Sequence, residues 1–286
     1  MAAGALTCRP MRRPELDLAV DWAAAEGWNP GPHDAEAFWA ADPGGFWLAE
    51  LAGEPVASIS VVRYTPSYGF LGFYICRPEH RGKGFGLALW QAGMRHLGDR
   101  CVGLDGVVAQ QANYRRSGFV LARRNVRFGA ARPVPPASVA SGPEVVPAAA
   151  LPFAELAAYD RTCFEAAREA FLRAWLALPG HVALAARRAG RLAGYGVLRP
   201  CREGAKIGPL FADGPEEAAA LFGALLRAAP AGPVFLDVPE PSAAAVALAR
   251  AAGMAPVFET ARMYAGAPPP PVQAARVFGI TSFELG

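Results

Sequence analysis

Two stretches of this chain carry the same punctuation at nearly the same spacing. In the first half, strand-like runs at 46–51 and 55–63 flank Gly53, and Gly118-Phe119 opens a further run that ends at Phe128. In the second half, runs at 181–187 and 192–198 flank Gly190, and Gly253-Met254 opens a run that ends at Tyr264. Gly53 and Gly118 are 65 residues apart; Gly190 and Gly253 are 63 apart. A glycine between two such runs signals a hairpin. A hairpin recurring at a fixed distance from a second glycine-opened strand points to a duplicated unit. At roughly 150 residues per domain, a chain of 286 residues accommodates two copies. Residues 1–130 carry 14 basic and 12 acidic side chains, and 131–286 carry 14 and 13. Neither copy is a polycation, which argues against an electrostatically driven nucleic-acid or membrane binder.

The boundary falls in the proline-rich stretch 131–151, which has no periodic apolar pattern. Proline fixes φ and removes donors, so an extended linker is expected there. This divides the chain into 1–130, a linker at 131–151, and 152–286. A second proline run, Pro268–Pro271, precedes a tail ending Phe278-Gly-Ile-Thr-Ser-Phe-Glu-Leu-Gly286. In the first half, 68–75 reads as a strand, 84–97 as a helix, 101–107 as a strand, 110–117 as a short helix and 119–128 as a strand. An antiparallel hairpin followed by this alternation predicts an α/β fold with a mixed sheet and helices on its faces.

Several function classes drop out. The five cysteines are odd in number, far apart and form no CxxC pair, which fits a reducing compartment and neither a disulfide scaffold nor a thiolate metal site. The four histidines never fall at i, i+4, so no zinc-binding helix is expected and no metal is assigned. Charge-free stretches such as 64–76 are shorter than the ~18 residues of a membrane span. The first residues lack a charged head followed by an apolar run. A cytoplasmic protein, monomeric or homodimeric, is expected.

The segment that carries chemistry is Tyr74-Ile-Cys-Arg-Pro-Glu-His-Arg-Gly-Lys-Gly-Phe-Gly86. A strand ends, a turn follows, and Arg81-Gly82-Lys83-Gly84-Phe85-Gly86 opens a helix. The glycines let backbone N–H groups converge without Cβ obstruction. At a helix N-terminus those donors and the dipole favour an anion, and Arg81 and Lys83 add positive charge. The spacing is neither a P-loop nor the Rossmann fingerprint, so the expectation is a pyrophosphate cradle of another kind.

R-x-x-G-x-G at a strand-to-helix turn resembles the acyl-coenzyme A motif of the GCN5-related N-acetyltransferase (GNAT) superfamily. Tyr114-Arg-Arg-Ser-Gly-Phe119 resembles the Y-x-x-x-G-F of the same superfamily. The resemblance covers about residues 8–130. The whole pattern, with its QQANYRRSGF and IGPLFAD segments and terminal SFELG, is similar to a tandem-acetyltransferase group, the YitH-type proteins. The resemblance implies two tandem GNAT domains and acetyl-CoA as cosubstrate. It also implies transfer of the acetyl group to the amine of a small-molecule acceptor by direct attack. The backbone of Tyr74, Ile75, Cys76 and Arg77 would pair with the pantetheine arm, and Arg81–Gly86 would hold the pyrophosphate. Tyr114 would protonate the departing thiolate, as a phenol near pKa ~10 can; a half-buried tyrosine capping the sheet is the alternative.

This chain also departs from the family pattern. No carboxylate occurs on 70–75, the strand where some members keep a general base. Asp105, at the end of the next strand, is the candidate base or amine anchor, with a turn or cap role as the alternative. The resemblance lays the segment Asp21–Gly31 over the acceptor end of the cleft, so Glu26, Trp28, Asn29 and His33 are the candidate acceptor contacts; helix packing is the alternative for Trp28. The second half places Asp213, Glu216 and Glu217 where the cradle should be and Ala249 where the tyrosine should be, so no coenzyme is expected there. That half reads as a degenerate copy, kept for packing or for shaping the acceptor cleft. Arg115, Arg116, Arg123, Arg124 and Arg127 read as a solvated face, with one or two of them near the coenzyme's 3′-phosphate. A non-catalytic acyl-CoA sensor is the rival to the enzyme.

Overall fold

The computed structural model describes residues 5–136 and 142–286. The first half runs β1 (Leu6–Pro10), α1 (Arg13–Ala25), α2 (Asp34–Ala41), β2 (Phe46–Leu51), β3 (Glu54–Arg63), β4 (Tyr68–Cys76), α3 (Phe85–Leu97), β5 (Cys101–Val107), α4 (Gln111–Arg116) and β6 (Val120–Ala130). The second runs β7 (Glu144–Pro147), α5 (Phe153–Cys163), α6 (Glu169–Ala177), β8 (Val182–Arg188), β9 (Arg191–Pro200), β10 (Ala205–Ala212), α7 (Pro215–Ala228), β11 (Val234–Pro239), α8 (Ala243–Ala251) and β12 (Ala255–Ala265), and adds β13 (Val277–Gly279). Apart from β13, the two series match element for element. Even the hairpin turns match. Ala52-Gly53 and Ala189-Gly190 both have positive φ at the two central residues, the geometry whose twist suits a two-residue hairpin.

The extended linker expected over 131–151 is only partly present. Residues 144–147 form β7, antiparallel to β8, at the place that β1 holds beside β2 in the first half. Residues 137–141 of that stretch lie outside the described residues.

The strands form one continuous sheet in the order β1-β2-β3-β4-β5-β12-β6-β11-β10-β9-β8-β7, with β13 beside β10. The halves therefore exchange their last strands. β12 of the second half pairs with β5, and β6 of the first half pairs with β11, both antiparallel. Helices cover the faces; α3 packs so closely on β3 that a Cβ on Gly93 would meet Val61 at 2.8 Å. No helix among the described residues is long and apolar enough to cross a membrane.

One irregularity opens the site. β4 and β5 pair in parallel only from Tyr68↔Cys101 to Leu71↔Leu104. Beyond that, Phe73 takes a positive φ of 44°, and the register with β3 shifts between Ser58 and Ser60. A bulge of this kind bends its strand and breaks the ladder, leaving 72–76 splayed from the end of β5. The Ser58 hydroxyl donates to the Phe73 carbonyl at 2.9 Å and holds the bulge. In the second half, β10 and β11 likewise pair only from Ala205↔Val234 to Ile207↔Leu236. There β13 takes the place beside β10, pairing at Leu210↔Gly279 and Phe211↔Val277.

Candidate active site

The splay between β4 and β5 opens into a cavity of about 570 Å³. One group of lining residues is the strand end and cradle: Gly72, Phe73, Tyr74, Ile75, Cys76, Arg81, Gly82, Gly84, Phe85, Gly86 and Leu87. A second group is Leu104, Asp105, Val107, Ala109, Gln110 and Tyr114, from β5 and the turn into α4. A third comes from elsewhere in the chain: Glu26, Trp28, Phe258, Thr260, Phe283 and Glu284.

The cradle follows from backbone conformation. Gly82 has φ 74° and Gly84, which caps α3, has φ 84°. No side chain crowds either position, so it is the left-handed backbone that requires glycine there. The first-turn N–H groups of α3 have no partner within the helix, and Phe85, Gly86 and Leu87 line the same cavity, where the dipole adds its positive end. Arg81 reaches back to donate to the Cys76 carbonyl at 2.9 Å and also pairs with Glu26. Lys83 donates to the Glu79 carbonyl at 2.8 Å. Neither Lys83 nor Arg77 lines the cavity. The Arg77 N–H donates to Val56 at 3.0 Å and its guanidinium pairs with Glu79, so the pairing edge expected over Tyr74–Arg77 ends at Cys76.

Tyr114 is buried at 7% exposure, stacked on Trp90 with ring centroids 5.7 Å apart. Burial pushes its phenol well above the ordinary value, with a smaller push from Tyr74. A phenol in that state keeps its proton at neutral pH and is a weaker acid than free tyrosine, so donation to a thiolate depends on the thiolate being poorly solvated in the same cavity. Its ring lies so close to β5 that a Cβ on Gly106 would meet it at 2.6 Å. Tyr74 is likewise pushed up to about 12 by burial.

Asp105 lines the cavity, but both oxygens are engaged. Arg262 donates to them at 3.0 and 2.7 Å, and Asn125 donates at 2.7 Å. A buried guanidinium and an amide thus take up the lone pairs that a base would need free. The nearest role of Asp105 is to fasten the exchanged strand β12 to β5.

Of the candidate acceptor contacts, Glu26 and Trp28 reach the cavity, and Asn29 and His33 do not. Asn29, at φ 54°, donates to the Glu203 carbonyl and accepts from the Glu203 N–H, both at 2.9 Å. It clasps the first half to the second. His33 precedes α2 as its cap residue. The expected solvated arginine face is also corrected at one position: Arg127 is 3% exposed, makes a two-pronged pair with Asp237 and lies over the Phe283 ring at 4.7 Å.

Sequence reasoning missed the contribution of the C-terminal segment. All residues from Val277 to Gly286 are buried. The Tyr64 hydroxyl donates to the Leu285 carbonyl at 3.0 Å, and Arg168 donates to the Thr281 hydroxyl at 2.8 Å. This route brings Phe283 and Glu284 into the first-half cavity. The available signal was the run Val277-Phe-Gly-Ile-Thr-Ser-Phe-Glu-Leu-Gly286, too apolar for a solvated tail. In the second half, the acidic groups that stand in for a cradle are paired: Arg188 with Glu216 and Glu217, Arg276 with Asp213 at 3.0 Å. Beside them the chain's own β13 lies along β10, beyond the point where β10 and β11 stop pairing. Among the described residues, no cluster of three or more His, Cys, Asp or Glu side chains is arranged to hold a metal.

Comparison with known proteins agrees with this geometry. A model of the acetyltransferase (GNAT) family matches residues 13–119, and one of an acetyltransferase (GNAT) domain matches 156–279. The holothin acyltransferase of Pseudoalteromonas sp. (strain SANK 73390) is 32% identical over 281 residues, covering 98% of this chain and 94% of the relative. A crystal structure of a candidate acetyltransferase from Pyrococcus horikoshii superposes with a TM-score of 0.82 at 21% identity, over 98% of this chain and 96% of that one. A tandem GNAT protein of the clavulanic acid biosynthesis pathway superposes with a TM-score of 0.62 at 16% identity, over 93% and 99%. With two domains matched and a whole-length acyltransferase relative, the chain belongs to the GNAT superfamily as a tandem acyltransferase.

Proposed function

We propose that the protein transfers an acetyl group from acetyl-CoA to the amine of a small molecule by direct attack, at one site in the first half. The observation that carries this reading is the shared cavity: the glycine cradle, the free edge of β4 and the buried Tyr114 phenol all face it. A pyrophosphate fits the helix N-terminus between Gly82 and Gly86. The pantetheine arm fits the splay and pairs with the edge of β4 over 74–76, where Arg81 already holds the Cys76 carbonyl. In this reading the thioester lies near Tyr114, whose proton goes to the departing thiolate. Asp105 acts as the anchor of the exchanged strand rather than as a base. Trp28 and Glu26 face the acceptor space from the α1–α2 loop.

The test is thiol release from acetyl-CoA and from longer acyl-CoAs against a panel of small-molecule amines headed by holothin, the acceptor in the relative's name. Transfer with at least one amine is expected, and Tyr114→Phe should lower kcat about 100-fold while acetyl-CoA affinity holds. Tyr114→Phe turning over at the wild-type rate would remove the acid role. Preference for a longer acyl chain would replace acetyl as the donor group.

A further inference from the structure

Glu284 is 2% exposed, and neither of its carboxylate oxygens has a hydrogen-bond partner among the described residues. A buried carboxylate left this way is costly unless something outside the resting protein completes it. It lines the cavity beside Tyr114 and the cradle. The Thr260 hydroxyl on the same wall is also buried without a partner. Two buried polar side chains thus lack a partner within a wall otherwise formed by Trp28, Phe258 and Phe283. The segment carrying Glu284 is fixed in place. The Ser282 hydroxyl accepts from the Leu285 N–H at 3.1 Å, and the Glu284 carbonyl abuts Gly72, where a Cβ could not fit. Gly72 lies on the stretch of β4 that carries no carboxylate of its own. The exchanged architecture delivers one there from more than 200 residues away.

We propose that Glu284 is the group that takes the proton from the acceptor amine. This rests on the acetyl-transfer reading above and extends it to the acceptor side. The nitrogen lone pair forms the C–N bond, and the C–S bond breaks with its electron pair left on sulfur. The N–H proton passes to the Glu284 carboxylate and then to solvent. The thiolate takes its proton from Tyr114, which regains one from solvent. Asp105 cannot substitute, because Arg262 and Asn125 occupy it. The rival role is plain charge balance: Glu284 lies in the field of Arg127 and Arg199, although it is hydrogen-bonded to neither.

The experiment compares wild type with Glu284→Gln and Glu284→Asp, using whichever amine the holothin-headed panel shows to be acylated. It measures kcat against pH, acetyl-CoA affinity by calorimetry, and Tm. A base contributes about 100- to 10,000-fold, so Glu284→Gln should lose at least about 100-fold in kcat with acetyl-CoA affinity within a few-fold. Its rate should keep rising with pH where the wild type levels off, and Glu284→Asp should recover part of the loss. A Glu284→Gln enzyme with wild-type kcat and pH profile overturns the assignment; so does one that changes only in Tm, the mark of a counter-ion. A wild type that acylates no amine sinks the acetyl-transfer reading instead, and this one with it.

Discussion

At the scale of single residues, what matters is which polar groups are satisfied and which are not. Asp105 and Glu284 share a cavity, but one is saturated with donors and the other has none. Burial holds Tyr114 in its protonated form, and the same physics acts away from the site. His181 packs edge-on against Trp175, with ring centroids 5.0 Å apart, and its Nδ1 lies 2.8 Å from the Trp175 carbonyl. Burial lowers its pKa to about 4, with Arg199 adding to the effect. In the unfolded chain the ordinary value is ~6.5. Between those values the unfolded state binds a proton that the folded state refuses, so stability present above pH ~6.5 is lost as pH falls towards 4. The loss from this one group is about 2 kcal/mol by pH 5. Urea unfolding of wild type and His181→Gln at pH 7.5 and pH 5 checks it. The wild type should weaken more between the two pH values; equal weakening would mean that His181 does not contribute.

At the scale of elements, the site is made by two interrupted strand pairs. The bulge at Phe73 opens the first, and β13 fills the second. The C-terminal segment depends on Gly72, because any side chain there meets the Glu284 carbonyl. Gly72→Ala should therefore displace residues 280–286, cost about 1–3 kcal/mol as overpacking does, and raise amide exchange across that segment. Unchanged exchange would show that the contact does not hold the tail. The hairpins, α3, the cradle and the Tyr114 turn were legible in the sequence because each is a local matter of φ sign or side-chain period. β7 was not, since four residues in a proline-rich run carry no period. Glu284 was hidden for a different reason: its role depends on where a distant segment docks, and nothing within that segment encodes the partner.

At the scale of the molecule, the duplication was readable and the strand exchange was not. β6 and β12 are both eleven-residue strands opened by a glycine, so local pattern does not specify which half each one completes. The structure resolves this with buried pairs that cross between halves: Asp34 with Arg199, Arg127 with Asp237 at 2.6 Å, and Arg262 with Asp105 at 2.7 Å. Removing one partner of such a pair leaves an uncompensated buried charge, so each pair penalises any arrangement that separates the halves. The second half supports the first through β12 and the C-terminal segment, and its own β10 carries β13 beyond the point where pairing with β11 stops. On this account two GNAT domains make one coenzyme site. Calorimetric titration of the whole chain with acetyl-CoA tests this most directly, in the wild type and in Gly84→Glu, which places a side chain and a negative charge on the left-handed cap of α3. If one coenzyme site serves both domains, the wild type binds one acetyl-CoA per chain and Gly84→Glu binds none. Two per chain, or binding that survives Gly84→Glu unchanged, would contradict it.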